Sequence, residues 1–400
     1  MAVFGKIKFL NISSRNIPKK IKKFRLFLVV RSFSMLSIFG SRNKLICLLL
    51  LTLLITIAGC QISAQKTQHL EAKGCKDIGI LLPATGAESG RWEEKDRHFL
   101  EKGIIEKIRD VTIRYFNANS NKELQEKQAD LALKAGSCIL IVTPVANEEG
   151  INIIEKAKKK GVPVIAYDRP IKDDDLSFYI SFDSEEVGKL QANYVIQELN
   201  KGQEGIYKLK GIPNLVMING DIDDENSYAI QEGWFNTLNS YFQPEASNQN
   251  KKLNLIFPIG KDDPQYFMPN WSGEKAAQKV EELLKNHQDN IQIILVANDS
   301  MANEIIGSLG DKKRGKILIT GQDGSKQTAQ NIKNGFQGIT IYKSSELLAQ
   351  KTVELVVALS EGKNTEDLMN RDIETSTGKK IPSGILRPIS VTKENIEVLD

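Results

Sequence analysis

The segment Val164-Ile-Ala-Tyr-Asp168-Arg169 is a short, continuous apolar run that ends in two charged residues. An apolar run of this length, with no alternation of polar side chains, is typical of a strand buried on both faces of a parallel sheet. In open parallel sheets, ligands bind beyond the carboxyl ends of the strands. The segment therefore predicts a parallel α/β fold and a site that contains Asp168 and Arg169.

Similar apolar runs recur on both sides of this segment, separated by amphipathic stretches long enough to be helices. The predicted strands are 78–82, 111–116, 138–143, 162–167, 178–182, 214–218, 253–259, 291–297, 316–320, 338–342 and 384–391. Strands that alternate with helices indicate βαβ units. Because there are too many strands for one compact domain of this kind, the sequence predicts an α/β protein with two doubly wound parallel-sheet (Rossmann-like) lobes.

Polar residues of particular types follow the other predicted strands. They are Asn226, Asn298, Asp299, Asp323 and Lys343, with Arg91 and Trp92 at the start of the first helix. Asp and Asn oxygens accept hydrogen bonds from hydroxyl groups, whereas Asn, Arg and Lys donate to hydroxyl and ring oxygens. A Trp ring offers a flat apolar surface for the C–H face of a sugar. This mixture with nearly balanced charge suits a neutral polyhydroxylated ligand.

Each of these residues also has a purely structural interpretation. Asp299 and Asp323 follow strands, where an Asp is often only a helix N-cap. Asp168 and Arg169 could form an ion pair with each other, and Trp271, at a predicted helix start, could be a hydrophobic staple or a wall of the site. The binding interpretation depends on the agreement of five strand ends.

The basic charge of the chain is concentrated at its N-terminus. The formal net charge is +4, but residues 1–59 contain seven Lys, four Arg and no Asp or Glu. The remaining 341 residues therefore carry 43 basic and 50 acidic side chains, a net charge of −7. The basic balance is thus no indication of a nucleic-acid partner.

Residues 1–59 have the pattern of an export signal. Arg42 and Lys44 precede an apolar run, which ends at Ile57-Ala58-Gly59-Cys60. That quartet resembles the lipobox of bacterial lipoproteins, which implies acylation of Cys60 and a membrane anchor. Met35 could be the true start, and a transmembrane anchor is the alternative to a cleaved signal. We expect residues 60–76 to be a tether.

The remaining sequence motifs do not predict a nucleotide, metal or catalytic site. Gly310-Asp-Lys-Lys-Arg-Gly315-Lys316 imitates a P-loop but precedes a strand and lacks the final Ser or Thr. The His residues and Cys residues lack metal-ligand spacing. The sequence therefore predicts no metal, no cofactor and no catalytic set.

At the strand ends the chain resembles the type I periplasmic sugar-binding proteins of ABC transporters, in particular the xylose-binding and multiple-sugar-binding group. The segments that carry the resemblance are Arg91-Trp92 with Lys95-Asp96-Arg97, Val164-Ile-Ala-Tyr-Asp168-Arg169, Tyr179-Ile-Ser-Phe-Asp183 with Val187-Gly188, Ala297-Asn298-Asp299, Thr320-Gly-Gln322-Asp323, Tyr342-Lys343 and Ile385 to Asn395. In such proteins, the positions matching Arg91, Asp168, Arg169, Asn226, Asn298, Asp323 and Lys343 hydrogen-bond a pyranose. Trp92 and Trp271 match aromatic walls.

The sequence departs from the family's pattern at two loops. Pro83 to Gly90 lacks the charged residues that usually precede the Arg-Trp pair, and Gly220 to Asn226 is more acidic than usual. Both departures leave the identity of the sugar open.

The resemblance implies a non-enzymatic, exported, monomeric binding protein with a three-crossing hinge. We expect one lobe at 77–182 and 322–362 and the other at 183–321 and 363–400. Closure around a monosaccharide, such as a xylose-like pentose or related aldose, would then be read by the permease of an importer. Presentation to a chemoreceptor or sensor kinase is the alternative.

Cys75 and Cys138, on strands that neighbour each other in this fold, could pair in a disulfide or remain as two thiols.

Overall fold

The computed structural model describes residues 72–84, 91–242, 252–256 and 263–399. The predicted signal 1–59, Met35, Cys60 and most of the tether 60–76 lie outside these residues. The described strands are β1 (Asp77–Leu82), β2 (Thr112–Asn117), β3 (Ile139–Val142), β4 (Val164–Tyr167), β5 (Phe178–Phe182), β6 (Asn214–Ile218), β7 (Asn254–Leu255), β8 (Ile293–Val296), β9 (Leu318–Ile319), β10 (Thr340–Tyr342), β11 (Arg371–Glu374), β12 (Lys380–Leu386) and β13 (Ile389–Val391).

Helices alternate with these strands. A π-helical turn, Trp92–Arg97, leads into the first α-helix. The α-helices are α1 (His98–Lys107), α2 (Lys122–Ala135), α3 (Asn147–Lys158), α4 (Ser184–Lys201), α5 (Glu225–Phe242), α6 (Gly273–Asn286), α7 (Asp299–Ser308), α8 (Lys326–Lys333) and α9 (Ser345–Glu361). Short 3₁₀ turns lie at Gly202–Glu204, Pro264–Tyr266, Pro269–Trp271, Glu366–Leu368 and Lys393–Leu399. The alternating α/β fold with mainly parallel sheets is the predicted one.

The strands form two main sheets. The first has seven strands in the order β11-β12-β5-β4-β3-β1-β2, parallel except for the antiparallel pair β11–β12. The second has four parallel strands in the order β7-β6-β8-β9, and β10 pairs with β13 in a separate antiparallel ribbon. We call the first sheet with α1–α3 and α9 the first layer, and the second sheet with α4–α8 the second layer.

Each layer has its own hydrophobic core. In the first layer, apolar side chains pack on both faces of the sheet, with Ile80 and Ile141 on one face and Leu81 and Leu140 on the other. A single large core fills the second layer around β6 and β8. Trp234 lies in this second core, fully buried, with its Nε1 donating to Gln191 Oε1 at 2.6 Å. It is a core residue, as its position in mid-helix suggests.

The chain passes between the layers three times, but two of the passages differ from the expected boundaries. The first follows β5, as expected. The second lies between Tyr342 and Ser345 rather than near residue 322, because Ile339 and Ile341 pack in the second core. The third lies between β12 and β13, because β12 pairs in parallel with β5 and so belongs to the first sheet.

The predicted last strand, 384–391, is thus two strands rather than one. The break between β12 and β13 falls at Arg387-Pro388, where the chain leaves the first sheet. Proline has no backbone N–H to donate and its ring restricts the preceding residue, so it favours such a break. The antiparallel partner β11 was not predicted, because its sequence, Arg371-Asp-Ile-Glu374, contains one apolar residue.

Helices α4 and α5 cross in close contact through two glycines. A Cβ atom on Gly188 would lie 2.0 Å from the Ile230 carbonyl oxygen, and one on Gly233 would lie 2.2 Å from that of Glu185. Because the nearest atoms belong to the backbone of the other helix, a Cβ atom at either position would force the two helices apart. The crossing therefore requires glycine at both positions.

We expect Gly233→Ala to lower the free energy of unfolding by about 1–3 kcal/mol or more, because the added methyl group overpacks this crossing. Urea denaturation followed by circular dichroism measures the change. Gly307→Ala is the matched control, since Gly307 is also helical but a Cβ there meets no atom within 4 Å. That variant should gain about 0.5–1 kcal/mol from helix propensity. A loss of similar size in both variants would contradict the close-crossing interpretation.

Candidate functional site

A cavity of about 420 Å³ lies where the carboxyl ends of the two sheets meet. This is where parallel sheets present the loops that follow their strands. All ten residues predicted to bind the ligand line it. They are Arg91, Trp92, Asp168, Arg169, Asn226, Trp271, Asn298, Asp299, Asp323 and Lys343.

Arg91 links carboxylates from both layers. It lies just before the π-helical turn and donates from Nε to Asp96 Oδ2 at 3.0 Å and from Nη2 to Asp168 Oδ1 at 2.8 Å. Its Nη1 lies 3.5 Å from Asp323 Oδ1, in the second layer. Burial alone would lower the pKa of Arg91, but the surrounding carboxylates raise it well above its ordinary value. The guanidinium is therefore a fixed cation at the centre of the site.

Asp96 accepts hydrogen bonds from the Arg91 guanidinium and was not among the predicted site residues. Its side chain is completely buried, and it also accepts from the Tyr167 hydroxyl and from Ser345 Oγ at 3.0 Å. A buried charge needs such partners because its desolvation is costly. The sequence feature that could have identified Asp96 was its spacing of five residues from Arg91. A π-helical turn brings residues at this spacing to the same side of the helix.

Asp168 is held in an unusual backbone conformation. Its φ is +65°, and its carbonyl oxygen accepts from Tyr179 Oη at 3.0 Å, Ser181 Oγ at 2.7 Å and Asn226 Nδ2 at 3.1 Å. A residue other than glycine in this region costs of order 1–3 kcal/mol and is often found at a functional site. Three donors on one carbonyl stabilise the conformation.

The carboxylate of Asp168 stays ionised. Burial raises its pKa, but attraction from Arg91 and Lys343 outweighs burial and holds the pKa well below its usual range. Lys343 Nζ lies 3.6 Å from Asp168 Oδ1 and 3.3 Å from Asp323 Oδ1. Arg91 and Lys343 therefore join Asp168 of the first layer to Asp323 of the second.

Asp168 and Arg169 do not pair with each other, which excludes that alternative. Three ion pairs instead join first-layer cations to the acidic loop after β6. These cross-cleft pairs are Lys122 with Asp223 at 2.7 Å, Arg169 with Asp224 at 2.7 Å and Lys172 with Glu225 at 2.5 Å. The acidic character of this loop is thereby explained, since three successive acids each meet one cation.

The two predicted aromatic walls both lie at the cavity. Trp92 is 6% exposed, and the guanidinium carbon of Arg91 lies 4.5 Å from its ring centre. Trp271 is 8% exposed and donates from Nε1 to Asp224 Oδ2 at 3.1 Å. A Cβ on Gly220 would lie 2.4 Å from the Trp271 ring, so the glycine permits this placement. Trp271 is a wall of the cavity in this geometry.

The polar side chains of Asp299, Asn226 and Asn298 are engaged with other residues of the protein. Asp299 accepts from Gly324 N at 2.8 Å, Gln337 Nε2 at 2.9 Å and Thr340 Oγ1 at 2.8 Å. Burial raises its pKa to about 7, although the hydrogen bonds from Gln337 and Thr340 oppose this. These contacts show that the Asp299 carboxylate supports the loop that carries Asp323, while the residue also lines the cavity, so its ligand role stays a prediction.

Asn226 is engaged in the same way. Its Oδ1 accepts from Ser184 Oγ at 2.9 Å and its Nδ2 donates to the Asp168 carbonyl. Asn298, and not Asp299, is the N-cap of α7, because Asn298 Oδ1 accepts from Met301 N at 3.0 Å. Its Oδ1 also accepts from Ser300 Oγ at 3.2 Å.

Cys75 and Cys138 form a disulfide, with Cα atoms 5.6 Å apart. The bond links the chain just before β1 to the chain just before β3.

In the described part of the chain, no group of three His, Cys, Asp or Glu residues could hold a metal ion. None of the helices described there is long and apolar enough to cross a membrane.

The fold and the cavity together define a two-layered binding protein whose site lies between parallel sheets. A family model described as periplasmic binding protein domain matches residues 78–364. The chain belongs to this family, whose members are substrate-binding proteins rather than enzymes. The family implies an exported protein.

Characterised relatives and solved structures agree with this assignment. The D-xylose-binding periplasmic protein of Haemophilus influenzae is 30% identical over 346 residues, which cover 86% of this chain and 93% of the relative. The multiple sugar-binding periplasmic protein of Azospirillum brasilense is 28% identical, over 84% of this chain and 91% of its own. An ABC transporter solute-binding protein from Clostridium phytofermentans with bound β-D-glucose has a TM-score of 0.69 at 24% identity, over 80% and 95% of the two chains.

Proposed function

We propose that this protein captures a monosaccharide, a xylose-like pentose or a related aldose, between its two layers and delivers it to an ABC importer. The observation that carries the proposal is the charged network of Arg91, Asp168, Asp323 and Lys343, whose members come from both layers and line one cavity. Such groups can donate to and accept from several hydroxyls at once.

The charge of the cavity supports a neutral ligand. Five basic and six acidic residues line it. A phosphate or carboxylate ligand would be favoured by an excess of positive charge. Two Trp rings supply apolar surface for the C–H faces of a sugar ring. The xylose-binding and multiple-sugar-binding relatives support the same class of ligand.

Closure follows from the position of the site. A ligand that contacts both layers binds a closed form more tightly than an open one, so it shifts the population toward closure. The closed form is then presented to the membrane permease. One chain supplies the whole cavity, so the protein acts as a monomer in this proposal.

An acyl chain at Cys60 would hold the protein at the outer face of a membrane, because anchoring increases with the number of buried CH₂ groups. The lipobox-like Ile57-Ala58-Gly59-Cys60 supports this part of the proposal. Partition of the exported protein between detergent and water, compared with that of Cys60→Ala, tests it. Equal partition would contradict the anchor.

The proposed function is tested by thermal unfolding of the protein across a panel of monosaccharides. We expect an aldose to raise the unfolding midpoint, because a ligand that binds only the folded state stabilises it by mass action. D-xylose, D-glucose, D-galactose, L-arabinose and D-ribose are compared at equal concentrations, with glycerol as the control for a non-specific polyol effect. The absence of a specific shift with every aldose would overturn the sugar assignment.

A further inference from the structure

We infer that Gln322, which follows β9, is a further ligand-binding residue, and that its side-chain amide binds a hydroxyl group of the sugar. The inference rests on the proposed function and extends it. Gln322 lies in Thr320-Gly-Gln322-Asp323, one of the segments that carry the family resemblance, but it was not among the predicted ligand-binding residues. The structure gives two observations that point to it.

The first observation is a buried amide without a protein partner. Gln322 lines the cavity and is 2% exposed, and its Oε1 is buried with no hydrogen-bond partner among the described residues. Six other residues in the described ranges have such an atom, and none of them lines the cavity. They are Gln128, Glu149, Glu198, Asn219, Ser227 and Gln337.

Burying an unpaired amide oxygen costs free energy, and of these seven residues in the described ranges only Gln322 lines a cavity where a ligand could supply a partner. The backbone of Gln322, by contrast, is firmly bound. Its carbonyl oxygen accepts from Asp299 N at 3.0 Å, and the residue bridges to Ile341 in the sheet. A fixed backbone with an uncommitted amide is the arrangement that a binding residue needs.

The second observation is the backbone turn at the next residue. Side chains of successive residues in extended chain point to opposite faces. Asp323 has a φ of +95°, and both Gln322 and Asp323 line the cavity. The turn thus presents a neutral amide and a carboxylate on one loop. A hydroxyl group both donates and accepts, so it can pair with either atom of the amide.

The test compares Gln322→Met with the wild-type protein, using the aldose that raises the wild-type midpoint most. Isothermal titration calorimetry should show affinity lower by about 10–50-fold, since one hydrogen bond in a desolvated site is lost. In the absence of sugar, the unfolding midpoint should be unchanged or higher, because an unpaired buried polar group is replaced by an apolar one of similar length. A structural amide would give the opposite result, a lower midpoint at unchanged affinity.

Ser227→Ala is the matched control, because Ser227 Oγ is also buried and unpaired but does not line the cavity. It should leave affinity unchanged. Monodeoxy forms of the same aldose identify the hydroxyl group that Gln322 binds. The wild-type protein should bind one of these forms more weakly than the parent aldose, whereas Gln322→Met should bind that form and the parent aldose with equal affinity. Unchanged affinity in Gln322→Met would overturn the inference while the sugar assignment stands. If the wild-type protein binds no aldose, the proposed function itself is wrong and the inference is overturned with it.

Discussion

Replacement of Asp323 by Asn is expected to lower the affinity for the bound aldose by about 100-fold. Hydrogen bonds to charged groups are worth about 1.5–3 kcal/mol, and the neutral amide keeps the shape but loses the charge. Asp323 is suited to the ligand because its side chain is 26% exposed, more than those of Asp168 and Lys343 beside it. Titration calorimetry with the aldose found by thermal unfolding measures the loss.

Asn is the chosen replacement because it tolerates the left-handed backbone of Asp323. Asp289→Asn is the matched control: Asp289 also has a positive φ, of 61°, and pairs with a lysine, Lys313, at 2.7 Å, but it does not line the cavity. The control should bind sugar normally. Without sugar, Asp323→Asn should unfold close to the wild-type midpoint, because Arg91 and Lys343 keep Asp168 as a partner. Equal affinity of Asp323→Asn and the control would show that Asp323 does not contact the ligand.

Replacement of Arg91 by Met is expected to lower the free energy of unfolding by about 3–5 kcal/mol at pH 7. Removal of one partner from a buried ion pair leaves the other charge uncompensated. Here Asp96, which is fully buried, loses the cation beside it, and Asp168 loses one of its two cations and keeps only Lys343 at 3.6 Å. Denaturation in urea, without sugar, measures the change.

The pH dependence of this loss has a definite sign. The folded-state pKa of Asp168 lies below its ordinary value, so its ion pairs stabilise the protein above about pH 4 and that stabilisation is lost as the pH falls through the folded-state pKa. The deficit of Arg91→Met should therefore be largest near neutral pH and smaller below about pH 4. A deficit that does not depend on pH would contradict this interpretation.

Arg114→Met is the matched control. Arg114 forms an ion pair with Asp77 at 2.7 Å, but their side chains are 33% and 20% exposed. Ion pairs in contact with solvent contribute about 0–1 kcal/mol. A loss as large as that of Arg91→Met would show that burial is not what distinguishes Arg91.

The sequence was sufficient to predict the strand ends that form the cavity. Val164 to Tyr167 is apolar throughout because both faces of β4 are buried, and this pattern gives the position of Asp168 directly. The same reasoning located Asn298, Asp323 and Lys343. Residues on strand ends can be found in this way because their place in the fold follows from the local pattern.

Properties that depend on contacts distant in sequence could not be predicted. The membership of β12 in the first sheet depends on its pairing with β5, about 200 residues earlier in the chain. Asp96 belongs to a segment that carries the resemblance, but its place in the site was missed because a buried Asp on a helix looks like any exposed acid in the sequence. The internal partners of Asp299 could not be predicted either, because nothing local shows that Gln337 and Thr340 bind its carboxylate.

The cross-cleft pairs have a consequence for the rate at which a bound sugar leaves. All three must separate before the layers can part, and two of them, Lys122–Asp223 and Lys172–Glu225, retain contact with solvent. Added salt screens such pairs, with a Debye length of about 10 Å at 0.1 M. We therefore expect dissociation, followed by stopped-flow fluorescence, to become several-fold faster at high ionic strength. The acidic loop after β6 would then determine how long the complex lives as well as lining the cavity that holds the sugar.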